Sequence, residues 1–130
     1  MARDNRLIFL DTNILVDLID GRGRQEKVLK YLSGKPIVAS SILSISTAFY
    51  ITQKSSGFTA LDMSKFTRKL KVIDAGKDVL ERAYMICADK DLEDAIQIAT
   101  AIAGGAEVFI TADKKLLQNY GHLLDIVLVV

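Results

Sequence analysis

An α/β fold is predicted, a three-layer α/β/α sandwich with a central parallel sheet. Short apolar runs of strand length recur along the chain, separated by longer segments of helical period. The runs are continuous rather than alternating, as strands covered on both faces require. Glycines also fall where helices should stop and strands begin.

In chain order, "LIFL" at Leu7–Leu10 is the first strand. "TNILVDLI" (12–19) follows as a helix, then "QEKVLKYL" (25–32) as a second. Gly34 before Pro36 ends that helix and leads into the strand "IVA" (37–39). Residues 44–54 and 60–70 read as helices, and "KVI" at 71–73 as a weaker strand. Helices are then expected over 77–87 and 92–103, the latter stopped by Gly104 and Gly105. "VFIT" (108–111) is a strand, 114–119 a short helix and "IVLV" (126–129) the last strand.

The 130 residues, half of them hydrophobic, are expected to form one domain over 1–130. Lys and Arg total 17 against 16 Asp and Glu, so any basic surface must be local. The stretches "RGRQEKVLK" (22–30) and "KFTRKLK" (65–71) are the candidates for phosphate contact, and equally for solvated helix faces. Cys87 stands alone and reads as a small buried hydrophobe. A single His122 excludes the usual histidine-rich metal sites and Ser-His-Asp triads. The apolar run before Asp11 is too short for a signal peptide and no run approaches a membrane span. The expected location is cytoplasmic, without membrane contact.

In open parallel sheets, ligands bind at the carboxyl ends of the strands. Asp11 follows the first strand, Ser40 and Ser41 the second, and Asp113 the "VFIT" strand. Asp11 and Asp113 each have a structural explanation as a helix cap. Asp91 can cap the helix "LEDAIQIATAIA", with Asp94 as the acid of a capping box. That helix is apolar nearly all round, with only Gln97 and Thr100 polar beyond its first turn, and should be buried. Asp94 shares a face with Ile98 and Ala101, and no Lys or Arg on the helix can pair with it. A carboxylate facing inward needs a partner, and a metal ion or a wet cleft would supply one. The acids' joint placement at one rim favours function over three separate caps.

Asp11 in "FLDTNIL", Asp94 in "DLEDAIQIATA" and Asp113 in "FITADKKL" resemble, in order and spacing, the acidic motifs of the PIN domain family. The resemblance spans nearly the whole chain, and small prokaryotic PIN proteins, including VapC-type toxins, are the nearest in pattern. It implies a metal-dependent ribonuclease holding Mg2+ or Mn2+ on Asp11, Asp94 and Asp113. Asn13 and Thr111 match polar positions that orient the acids, and Asp91 lies beside Asp94 as a supporting residue. The chain departs from the pattern at the helix after the second strand. That helix usually carries a further acid, whereas "SSILSISTAFYITQKSS" has none. With Tyr50 as the aromatic anchor, Thr47 takes the acidic position, and a hydroxyl can orient water but supplies no charge. Fewer carboxylates should weaken the hold on a divalent ion.

Two other readings remain open at this point. One is a catalytically silent PIN module that binds RNA or protein. The other is a haloacid-dehalogenase-like phosphatase, whose second Asp would stand where Asn13 is. The resemblance further implies an RNA substrate, a small antitoxin partner and a homodimer. The apolar faces of "ILVDLI" and "STAFYI" are candidate dimer surfaces. Tyr31, Tyr50 and Tyr120 are expected to pack in the core or at its rim.

Overall fold

The computed structural model describes residues 5–21, 23–34 and 36–130. Arg22 of the first basic stretch and the opening residues 1–4 lie outside the described residues. The described elements run β1 (Leu7–Leu10), α1 (Thr12–Asp20), α2 (Gln25–Tyr31), β2 (Ile37–Ser41), α3 (Ile42–Ser56) and α4 (Ala60–Thr67). They continue with β3 (Lys71–Ile73), α5 (Lys77–Cys87), α6 (Leu92–Ala103), β4 (Val108–Thr111), α7 (Lys114–Tyr120) and β5 (Asp125–Leu128).

The strands form one sheet in the order β3-β2-β1-β4-β5, every pair parallel. The sheet grows outward from β1 in one direction through β2 and β3, then returns to the other side of β1 with β4. The strand order therefore reverses between β1 and β4, where such folds open a crevice at the carboxyl edge.

Alternation along the central strands divides the core in two. Leu7, Phe9 and Phe109 face α5, α6 and α7. Ile8, Leu10, Val108 and Ile110 face the side of α1, α2, α3 and α4. Phe9 and Phe109 are register partners, and their rings stack at 5.1 Å between centroids and 12° between planes. This pair clamps β1 to β4 directly below the crevice. At the far end of α6, Gly104 packs so closely that an added Cβ would lie 2.3 Å from Ile73 Cδ1. Gly105 then turns the chain at φ 79°, which favours glycine.

Several boundaries shift from expectation for local reasons. Helix α3 starts at Ile42 rather than 44, because Ser41 caps it by accepting the Ser44 N–H at 2.9 Å. Helix α4 ends at Thr67 rather than 70, because the chain tightens into i to i+3 turns at Lys69 and Leu70. The last strand is 125–128, although Val129 still donates its N–H to the Thr111 carbonyl at 2.8 Å. Cys87 is buried, as expected, with its thiol donating to the Lys90 carbonyl.

On the candidate dimer surface "ILVDLI", Leu18 and Ile19 stay half-buried. Ile14, Leu15, Val16 and Asp17 are buried within the chain, and the Asp17 carboxylate is paired with Arg24 at 2.5 Å. On α3, Ile42 and Tyr50 stay exposed, Tyr50 by 59%. Tyr120 is in the core, while Tyr31 and Tyr50 are surface residues, the latter beneath the Lys54 ammonium. No helix of the described residues is long and apolar enough to cross a membrane.

Phe109→Ala should cost about 3–5 kcal/mol, since it removes a fully buried ring and leaves Phe9 unstacked. Urea denaturation checks this; a loss below about 1 kcal/mol would mean that the ring pair does not hold β1 against β4.

Candidate active site

The carboxyl ends of β1 and β4 deliver the functional side chains. Asp11 is the first residue past β1, and its N–H still bonds the Ile110 carbonyl of β4 at 3.0 Å, so the sheet aims it. Its extended backbone makes it the N-cap of α1. One carboxylate oxygen, Oδ1, accepts the Thr12 N–H at 2.8 Å, and the other, Oδ2, accepts the Thr111 hydroxyl at 2.7 Å. The capping explanation for Asp11 is thus realised, yet one oxygen is held by a second strand.

Thr111 serves both sides of the crevice. Its hydroxyl donates to Asp11 and accepts the Asp113 N–H at 3.0 Å. Asp113 caps α7 by accepting the Lys115 N–H at 2.9 Å. Asp91 caps α6 by accepting the Asp94 N–H at 3.2 Å. Only this half of the expected capping box forms. The Asp94 carboxylate does not reach back to the cap, and no described residue donates a hydrogen bond to it.

Asp11 is only 8% exposed, and burial pushes its pKa up. Hydrogen bonds from Thr111 and the Thr12 backbone pull it down, the nearby Gln97 amide does so slightly, and the Asp113 charge pushes it further up. Asp94 is pushed up to about 6, first by burial, then by the charges of Asp91, Asp113, Asp11 and Glu93. Asp113 thus raises both Asp11 and Asp94, Asp11 also raises Asp94, and no basic side chain among the described residues counters these shifts. Acids so placed lack the neutralising partner that buried charge requires.

They are not, however, drawn into one coordination group. Among the described residues no three His, Cys, Asp or Glu side chains stand close enough to hold an ion in common. The physical reason is plain. Oxygens of Asp11 and Asp113 turn to helix N–H groups, and mutual repulsion opposes closer approach.

Two supporting residues named from the sequence make no bond to the acids. Asn13 is exposed on the first turn of α1, and the contact expected of it is made by its neighbour Thr12. Thr47 is half-buried on α3, one turn beyond Ser44. The polar network lies instead on Thr12, Ser41, Ser44 and Gln97. Ser41 donates to Gln97 Oε1 at 2.6 Å, Gln97 Nε2 donates to Ser44 Oγ, and Thr12 Oγ1 donates to Ser44 Oγ at 3.0 Å. Gln97 had a visible signal: it is polar on an otherwise apolar helix, one turn after Asp94. In the sequence Ser41 stands out only as a polar residue following the second strand, and Ser44 only as the start of the next helix.

The PIN domain model matches residues 8–122 of this sequence. The chain belongs to the PIN domain family. No curated protein matches it. Among solved structures, its fold is similar to that of a toxin-antitoxin complex from Klebsiella pneumoniae (TM-score 0.70, 23% identity, covering 92% of this chain and 95% of that one). It is also similar to VapBC2 from Rickettsia felis bound to a promoter DNA fragment (TM-score 0.70, 19% identity, 93% and 98% covered). A third is VapC20 of Mycobacterium tuberculosis, described as a Sarcin-Ricin loop cleaving toxin (TM-score 0.68, 18% identity, 85% and 93% covered). At these identities the likeness concerns the fold. The acids of this PIN domain sit where its own strand order reverses.

The raised pKa of Asp94 gives a stability prediction with a definite sign. Folding favours its protonated form, so the associated stability is present below the unfolded value of 3.8 and is lost as pH rises through about 6. Without divalent ions, Asp94→Asn should therefore melt a few degrees above the parent at pH 7.5, a gain that screening holds to about 1 kcal/mol or less. The difference should shrink as pH falls from 6 to 4. Equal melting temperatures at pH 7.5 would contradict the crowding of charge around Asp94.

Proposed function

We propose that this PIN domain is a ribonuclease that hydrolyses RNA phosphodiester bonds with a divalent metal ion, as the toxin of a toxin-antitoxin pair. The observation that carries the reading is the crowding of Asp11, Asp94 and Asp113 at the β1–β4 crevice, where Asp113 raises the pKa of both other acids and no basic side chain among the described residues counters it. The donor set is all carboxylate oxygen, which suits a hard cation such as Mg2+ or Mn2+. Asp11, Asp94 and Asp113 would hold the ion, relieving the charge that burial penalises. When bound, such an ion polarises a phosphoryl oxygen and lowers the pKa of water.

The chain's own residues prepare the acids. Thr111 and the Thr12 N–H fix the Asp11 carboxylate in one orientation. Thr111 also holds the Asp113 backbone, so both acids move with the end of β4. Asp94, without a hydrogen-bond donor among the described residues, is free to turn its oxygens into the crevice. Thr47 brings no charge to the site, so affinity for the ion is low.

The same crevice suits a small protein antitoxin, whose basic side chain would pair with the acids and exclude substrate. Exposed Ile42 and Tyr50 on α3 are the surface for a homodimer. The silent-module reading draws on one specific observation: Thr47 and Asn13 leave the acids without the side-chain contacts that the family pattern expects of those positions.

Incubation with a pool of structured RNAs separates the two. Mn2+-dependent cleavage is expected from the parent and should fall at least about a hundredfold in Asp11→Asn. Thr47→Glu should tighten Mn2+ binding by about tenfold, because an added carboxylate strengthens the hold on a divalent ion. Cleavage that persists in Asp11→Asn would remove the acids from the chemistry. A parent that neither cleaves RNA nor binds Mn2+ through Asp11 would be the silent module.

A further inference from the structure

The amide of Gln97 is 4% exposed and has partners on both sides. Its Oε1 accepts the Ser41 hydroxyl at 2.6 Å and its Nε2 donates to Ser44 Oγ. Ser41 is itself held as the cap of α3, accepting the Ser44 N–H. Ser44 Oγ also receives the Thr12 hydroxyl, beside Asp11. One side chain from α6 thus joins the start of α3 to the start of α1. A buried amide needs such partners, and their number explains its stability. Their location is what core packing leaves unexplained.

Gln97 lies one turn beyond Asp94 on the same face of α6. Its side chain also lies near enough to Asp11 to favour that carboxylate's charged form. It therefore touches the frame of one acid and shares a helix with another. The partner segment, Ser41 to Thr47, is where the family pattern places its further acid and where this chain has none. A neutral amide and two hydroxyls fill that side of the site.

We infer that Gln97 is a positioning residue that sets Asp11 against Asp94, and that its amide stands in for the absent fourth acid. The inference rests on the metal-dependent reading above and adds a residue that the acidic motifs do not contain. It has a consequence that a purely structural glutamine would lack. Gln97→Glu keeps the size and the bond accepted from Ser41, but brings a negative charge to Asp11. Without ions the charge lowers the melting temperature; with ions it adds a ligand. Stability and affinity should then move in opposite directions.

The test measures Mn2+ binding by calorimetry, and melting with and without Mn2+, on the full chain. Gln97→Glu should melt below the parent without ions and bind Mn2+ about tenfold more tightly. Gln97→Met, similar in size but without the hydrogen bonds, should melt lower and bind Mn2+ at least about tenfold more weakly. A folded Gln97→Glu that binds no tighter than a parent whose binding depends on Asp11 overturns this inference and leaves the metal site standing. If neither parent nor Gln97→Glu binds Mn2+, both readings fall. Should Gln97→Glu not fold, Ser44→Ala decides: it removes the acceptor of Nε2, and a several-fold loss of affinity supports the positioning role, while unchanged affinity overturns it.

Discussion

The hydroxyl of Thr111 is the joint on which the site depends. It gives its proton to Asp11 and takes the N–H of Asp113, so one oxygen atom joins the ends of two strands and the starts of two helices. The bond forms only if β1 and β4 lie in register, and the ladder sets that register with Ile8, Phe9 and Leu10 opposite Val108, Phe109 and Ile110. A slip of one residue would reverse the faces of every side chain on the strand and send Thr111 away from Asp11. Core and site are thus settled by the same alignment. The stacked phenylalanines secure it from below and the threonine uses it above.

Much of the architecture is legible in the sequence because its elements are strongly patterned. "LIFL" and "VFIT" are apolar throughout, and the structure buries every residue of both. The helices at 77–87 and 92–103 have the expected limits. Less legible are ends decided by single side chains. Ser41 reads as a polar residue just past the second strand, yet it ends β2 and its hydroxyl caps α3. Residues 68–70 keep a helical pattern while their backbone tightens out of it. Periodicity reports a buried face, whereas caps and tight turns depend on one hydrogen bond each.

The acids are legible for a different reason. A carboxylate next to a buried strand is conspicuous, and Asp11, Asp94 and Asp113 have neighbours that make them so. Thr111 was visible only through the family pattern. Gln97 stands out as polar on an apolar helix and Ser41 as polar after a strand, but one-dimensional spacing does not bring residues 41, 44 and 97 together. That requires knowing that α6 crosses the end of β2, which is a property of the sheet order. Asn13 and Thr47 illustrate the converse. A motif locates them near the acids, and the local geometry gives the contacts to Thr12 and Ser44.

The order of the strands also dictates when the site can exist. Asp11 and Thr111 are 100 residues apart. β1 leaves the ribosome ahead of the other described strands, and it can pair with β2 as soon as that strand emerges. Its other edge must wait for β4, so Asp11 has neither its threonine nor Asp113 beside it until 100 further residues have been added. Long-range parallel pairing of this kind is slow. A nascent chain that has reached β2 and β3 therefore holds the sheet's central strand but not its chemistry, and the acids assemble only once β4 has followed.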